Sequence, residues 1–230
     1  MTRLFPADQR GRTRMGWLDA RHSFSFGEFL DRERMGFGDL RVLNDDRFGP
    51  GGGFPLHPHR DMEIVTFVVN GRLAHRDSMG SEGSLGRFEV QAMSAGSGVE
   101  HSEYNASTEE SARLLQIWIF PREKSLPPKY DQRSFADSHG PVRLLVSPDG
   151  EAGSLPIEQE ARIYAVQLEA GAESKTPLRS GRRAWIQVVE GEVEAQGETL
   201  QEGDGLAMED ETDVVLRSSR PSLSLIFDLR

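Results

Sequence analysis

The sequence predicts an all-β chain arranged as two related barrel lobes, and three observations carry that expectation. Glycine and proline are abundant, 24 and 12 among 230 residues, and the mean hydropathy is −0.51. Such a chain favours many short, turn-linked strands over long helices. Apolar stretches of strand length recur between turn dipeptides along the chain. The second half also echoes the first. Placing Gly191 on Gly71 lays Val188-Val189-Glu190 over Val68-Val69-Asn70, and Gly203-Asp204-Gly205 then falls about where a second turn belongs. That self-similarity is expected of a duplicated β-barrel unit. The expected bounds are a first lobe over 1–120, a linker over 121–140 that holds Pro127-Pro128, and a second lobe over 141–230.

In chain order, residues 1–20 read as an arm or edge segment. Arg21 to Leu30 alternates, with Phe24 and Phe26 on one face, and predicts a strand; His22 at its head is expected to be structural. Asp39 to Phe48 predicts a further strand. Gly49-Pro50-Gly51-Gly52-Gly53 cannot hold a regular element, so it is expected to be the loop that delivers the chain into His57. Met62 to Ser78 reads as a hairpin, because Ile64, Val65, Phe67, Val68 and Val69 run into Asn70-Gly71 and Leu73 to Arg76 returns. Ser78 to Gly86 is expected to be a polar loop, Arg87 to Met93 a strand, and Gly96-Ser97-Gly98 a turn opening onto His101. Arg113 to Phe120 is nearly continuously apolar, the pattern of a strand buried on both faces.

Composition excludes several classes of function. A net charge of −10 repels phosphate backbones, so direct nucleic-acid binding is not expected, and Arg10, Arg12 and Arg14 are expected to pair with the acidic excess. Cysteine is absent, which removes disulfides, thiolate catalysis and thiolate metal ligands. No apolar run approaches the roughly 20 residues of a membrane span. Charges interrupt Met1 to Ala20 where a signal peptide needs an apolar core, so a cytoplasmic location is expected.

Two phrases concentrate ligand chemistry: His57-Pro58-His59 and His101-Ser102-Glu103. On a strand, residues two apart share a face at roughly 7 Å, so each phrase aims two ligand groups the same way. If the strands face each other across a barrel, His57, His59, His101 and Glu103 offer three imidazoles and a carboxylate to one ion. That donor set, free of sulfur, suits Fe(II), Mn, Co, Ni, Cu or Zn rather than Ca or Mg. His75 is expected at the surface or a pocket rim, and His139 in solvent. No histidine follows His139, and the Gly71–Gly191 alignment puts Pro177 and Arg179 where His57 and His59 stand. The second lobe therefore cannot rebuild the site.

Gly51, His57, His59, Glu63 and Gly71 resemble the first motif of the cupin superfamily, with one extra residue before Gly71; Gly98, His101 and Asn105 match the end of the second, with Gly96 where Pro is common. More narrowly, Asn44-Asp45-Asp46, Gly51-Gly52-Gly53-Phe54, His57 to Glu63 and His101-Ser102-Glu103 look like the pirin family of bicupins. The compact length and Trp185-Ile186-Gln187-Val188-Val189 are similar to the shorter bacterial pirin-like proteins with quercetin 2,3-dioxygenase activity. The resemblance implies two double-stranded β-helix lobes, Fe(II) as in nuclear pirins or a looser choice of divalent ion as in quercetinases, and cleavage of a flavonol by dioxygen with release of carbon monoxide. In many cupins the first-motif Glu is the ligand, whereas in pirins the His-x-Glu phrase supplies it. Glu103 is favoured here by its spacing from His101, leaving Glu63 to orient an imidazole. The base that takes the flavonol 3-hydroxyl proton is Glu103 or, were Glu103 held on the ion, Glu63. The resemblance also implies an alternative of another class, a non-enzymatic iron-dependent regulator or adaptor acting through protein partners.

Overall fold

The computed structural model describes residues 1–137 and 140–230; His139, expected in solvent, lies outside the described residues. Strands dominate. They are β1 (Thr2–Phe5), β2 (Gly11–Arg14), β3 (Leu18–His22), β4 (Leu40–Phe48), β5 (Gly53–His59), β6 (Glu63–Asn70), β7 (Leu73–Asp77) and β8 (Glu82–Leu85). There follow β9 (Glu89–Ser94), β10 (Val99–Asn105), β11 (Ala112–Ile119), β12 (Lys129–Ser134), β13 (Val142–Ser147), β14 (Leu155–Pro156), β15 (Arg162–Leu168) and β16 (Glu173–Pro177). The chain ends with β17 (Arg183–Glu190), β18 (Glu192–Ala195), β19 (Glu198–Gln201), β20 (Gly205–Glu209), β21 (Asp213–Arg217) and β22 (Ser222–Leu229). Among the described residues, no helix is long and apolar enough to cross a membrane.

The chain divides into two compact units. One comprises Gly11–Asp137 and Leu155–Gln159, the other Met1–Arg10, Ser138–Ser154 and Glu160–Arg230. In the first unit a seven-stranded sheet, β12-β9-β6-β11-β4-β3-β2, is accompanied by a four-stranded sheet, β5-β10-β7-β8. In the second, β1-β20-β17-β22-β15-β13 lie side by side, as do β16-β21-β18-β19. The expected arm is thus built into sheet: β1 pairs antiparallel with β20. The stretch expected as linker is also partly strand, since β12 pairs with β9 through Lys129↔Ser94 to Ser134↔Glu89.

Three other expectations change. The Asn70-Gly71 turn does not join paired strands. β6 already has β9 and β11 on its two edges, so β7 has no free edge to pair with and passes to the four-stranded sheet beside β10 and β8. The Arg21–Leu30 strand stops at His22; Ser25 takes the backbone N–H of Asp31 on its hydroxyl at 2.9 Å, closing a turn instead. The polar loop before Gly86 carries β8. Of the arginine cluster, Arg12 pairs with Asp19 at 2.6 Å.

The duplication is visible within each unit. β17 lies between β20 and β22 as β6 lies between β9 and β11. Gly71 and Gly191 close the same turn, at φ 78° and 81°. A Cβ on Gly71 would come within 2.7 Å of Ala112 Cα at the start of β11, and one on Gly191 within 3.0 Å of Ser222 Cα at the start of β22. Only glycine tolerates both the left-handed backbone and the close approach. Gly71→Ala is therefore expected to lower stability by about 1–3 kcal/mol. A urea midpoint equal to that of the parent protein would show the turn to be unstrained.

Candidate metal centre

β10 is the inner strand between β5 and β7, and its burial alternates: Val99, His101, Glu103 and Asn105 are buried while Glu100 and Tyr104 are exposed. Antiparallel register sets His101 opposite His57 on β5, and Glu103 opposite His75 on β7. Asn105 anchors the end of the strand, donating through Nδ2 to the carbonyl of Glu110 at 2.7 Å. β5 is an edge strand, where Pro58 interrupts no interior ladder. Its register with β10 shifts between His101 and Glu103, so Pro55 and Leu56 form a bulge. The Pro55 carbonyl lies 2.8 Å from His57 Nδ1. That oxygen can only accept, so Nδ1 carries the proton and Nε2 keeps its lone pair for a ligand.

The imidazoles of His57, His59 and His101 cluster with ring centroids 4.4 to 4.8 Å apart. One nitrogen from each lies within 4.8 Å of the others, and a second triad within the same limit joins His101 to His75 and Glu103. His101 is shared by both groups. It is 1 % exposed, and neither of its ring nitrogens has a hydrogen-bond partner. An unsatisfied buried polar group costs about 1–3 kcal/mol, so this environment is arranged for something other than hydrogen bonding. Burial, reinforced by the other imidazoles, lowers the His101 pKa to about 2, and burial beside His57 lowers His59 to about 4. Both rings are neutral near pH 7 and present lone pairs.

Glu103, also 1 % exposed, sits in a net of neutral donors. Gln91 Nε2 donates to its Oε1 at 2.6 Å, Gln116 Nε2 to its Oε2 at 2.6 Å, and Thr66 Oγ1 to Oε1 at 3.2 Å. Burial nevertheless raises its pKa to about 7, because three neutral hydrogen bonds offset only part of the desolvation. Oε2, with a single protein donor, has the freer lone pair. A cavity of about 530 Å³ opens on these groups, lined by His57, His59 and Glu103 together with the apolar faces of Phe26, Phe54 and Trp118.

Two residues differ from expectation. His75 is not at a surface or rim: it is 2 % exposed, its Nε2 meets Asp77 Oδ2 at 3.2 Å, and its ring stacks on Tyr130. Leu73, His75 and Asp77 alternate inward on β7, so placing the Leu73 face toward the core would have placed His75 there too. Glu63 makes no hydrogen bond to an imidazole; its Oε2 accepts from Ser94 Oγ at 2.6 Å and from the Glu158 backbone N–H at 3.1 Å. It joins β6 to β9 and to residues 155–159 instead. Of Phe24 and Phe26, expected on one strand face, Phe26 lines the cavity, while Phe24 is core. Sequence reasoning passed over Thr66, Gln91 and Gln116. The signal for Gln116 was present, as a lone amide inside the apolar β11 needs a buried partner.

Comparison with known proteins places this architecture. A family model described as Pirin matches residues 5–119, and one described as Quercetinase C-terminal cupin domain matches 144–229. The chain belongs to the pirin family. Both lobes are cupin domains, so the fold is that of a bicupin. The chain is 44 % identical over 229 residues to a quercetin 2,3-dioxygenase of Escherichia coli (strain K12), covering 100 % of this chain and 99 % of the relative. It is 37 % identical over 226 residues to a pirin-like protein of Caulobacter vibrioides, with 97 % of each covered. The crystal structure of the bacterial pirin YhhW from Escherichia coli in complex with nickel(II) matches with a TM-score of 0.94 at 43 % identity, covering 100 % of this chain and 99 % of that one.

The polar net around Glu103 makes a direct prediction. Gln116→Leu removes a 2.6 Å donor from Oε2 and one of the two acceptors, Gln116 Oε1 and Glu103 Oε1, that share the single Thr66 hydroxyl proton. Stability of the metal-free protein should fall by about 1–3 kcal/mol in urea denaturation. An unchanged midpoint would mean that Glu103 does not depend on that amide.

Proposed function

We propose that the protein is a metal-dependent dioxygenase that cleaves flavonols such as quercetin, at an ion held by His57, His59, His101 and Glu103 in the N-terminal lobe. The observation that carries this reading is the convergence of three imidazoles, one of them, His101, with both ring nitrogens unpartnered, beside a cavity lined by the other two and by the buried Glu103 carboxylate. The donor set fits a transition ion: neutral nitrogen lone pairs, one carboxylate oxygen with capacity to spare, and no sulfur. Fe(II) is the ion the family resemblance favours, while Ni, Cu, Co, Mn and Zn suit the same donors. When bound, such an ion would supply Lewis acidity toward the flavonol and, for any of them but Zn, a redox-capable centre for its reaction with dioxygen.

The remaining work falls to the chain. Phe26, Phe54 and Trp118 offer flat apolar surface to a planar aromatic and keep water from it. Pro55 holds His57 in one tautomer. Burial raises the Glu103 pKa to about 7 in the metal-free chain; coordination would lower its basicity, so Glu103 would accept the proton of the 3-hydroxyl on Oε2 as that oxygen loosens from the ion. Glu63 is outside the cavity lining and occupied by Ser94 and Glu158, which favours Glu103 as the base. The 44 % identical relative of matching length, named a quercetin 2,3-dioxygenase, supports the substrate class.

The test is aerobic depletion of quercetin by protein stripped with a chelator and reconstituted with each candidate ion. Glu103→Gln loaded with metal should lose roughly 10²–10⁴ in turnover, and His101→Ala should lose bound metal. Quercetin left intact by the metal-replete parent protein would remove the activity; undiminished turnover in metal-loaded Glu103→Gln would remove the base.

A further inference from the structure

The Asn44-Asp45-Asp46 phrase is accounted for at two of its three positions. Asn44 Oδ1 lies 2.8 Å from His22 Nδ1, and His22 Nε2 lies 2.8 Å from Thr13 Oγ1. Asp45 takes both arms of the Arg113 guanidinium, at 2.9 and 2.8 Å. Asp46 has no comparable partner. It is 3 % exposed, its Oδ1 is buried without a hydrogen bond, and it lines the same cavity as His57, His59 and Glu103. Strand alternation puts Asn44 and Asp46 on one face of β4, so the neighbour that fixes His22 also fixes where Asp46 presents its carboxyl. Burial, with Asp45 and Glu103 nearby, pushes that carboxyl well above the usual range. A buried carboxyl oxygen kept unpaired beside a cavity is costly for folding, and a ligand that pairs with it recovers the cost.

We propose that Asp46 anchors the substrate, hydrogen-bonding a hydroxyl of a planar polyhydroxylated aromatic whose rings lie among Phe26, Phe54 and Trp118. The choice of ligand class rests on the flavonol reading above. The pairing works in either protonation state: a carboxylate accepts from a phenolic O–H, and a carboxylic acid donates to its oxygen. Asp46 is then a specificity residue that selects hydroxyl-bearing aromatics over bare ones of the same shape.

The test measures binding to nickel-loaded protein under nitrogen, for the parent, Asp46→Asn and Asp46→Leu. The probes form two pairs: quercetin against unsubstituted flavone, and 2-naphthol against naphthalene. Asp46→Leu should weaken the hydroxylated member of a pair by roughly tenfold to a hundredfold, leave the bare member unchanged, and keep the parent's nickel stoichiometry. Asp46→Asn, which preserves volume and hydrogen bonding, should fall between. If neither pair shows a hydroxyl-dependent loss in these variants, the absence of any binding included, the assignment is overturned. Loss with 2-naphthol alone, where the parent ignores quercetin, upholds Asp46 and sinks the flavonol reading. Quercetin turnover with an unchanged KM in Asp46→Leu sinks the Asp46 assignment and leaves the flavonol reading standing.

Discussion

The site depends on one constraint: β10 must run as an inner strand with its alternation held in register from Val99 to Asn105. Two neighbours enforce it. β5 supplies His57 opposite His101, and β7 supplies His75 opposite Glu103, so a slip of one residue would turn both chemical groups of β10 outward and bring Ser102 in. The bulge at Pro55 and Leu56 takes up a register shift before the histidines of β5 without disturbing β10.

Placing His101 and Glu103 inside a barrel is expensive, and the surrounding residues show how the expense is divided. Glu103 is compensated by hydrogen bonds from Thr66, Gln91 and Gln116, which come from β6, β9 and β11 of the opposite sheet. His101 is not compensated by hydrogen bonds at all. A hydrogen-bonded carboxylate is held in position, whereas an unpartnered imidazole keeps its lone pair available. The same division recurs along β4, where Asn44 and Asp45 are paired and Asp46 is left open to the cavity.

The second unit spends the same scaffold differently. Its strand β21 lies between β16 and β18, as β10 lies between β5 and β7, but its inward residues are Val214 and Leu216. These join Val166, Leu168, Ile186, Val188, Leu206, Met208 and Ile226 in a continuous apolar core. Duplication conserved the turn at Gly191 and the strand order, while the interior was filled with hydrocarbon. A barrel packed in this way gains stability from burial, and the buried residues of its β16 and β21, Ser174, Thr176, Val214 and Leu216, include no imidazole or carboxylate.

Much of this was legible in the residues themselves. Turn-rich composition and the Gly71–Gly191 echo implied two related β lobes, and two-residue spacing on short strands implied that His57 and His59, and His101 and Glu103, share faces. These follow from local geometry, since side-chain direction alternates along any strand. Which strands become neighbours is not a local property. The Asn70-Gly71 turn promised a hairpin, yet β6 had both edges taken and β7 crossed to the other sheet, carrying His75 into the interior. Spacing favoured Glu103 over Glu63 as the ligand but could not give the partners of Glu63, which follow from which sheet faces which. The sequence by itself determined the strand class, the duplication and the paired ligand faces, because each is set within a few residues. Only the tertiary structure decided the roles of His75, Glu63, Gln91, Gln116 and Asp46, because burial and hydrogen-bond partners arise between segments far apart in the chain.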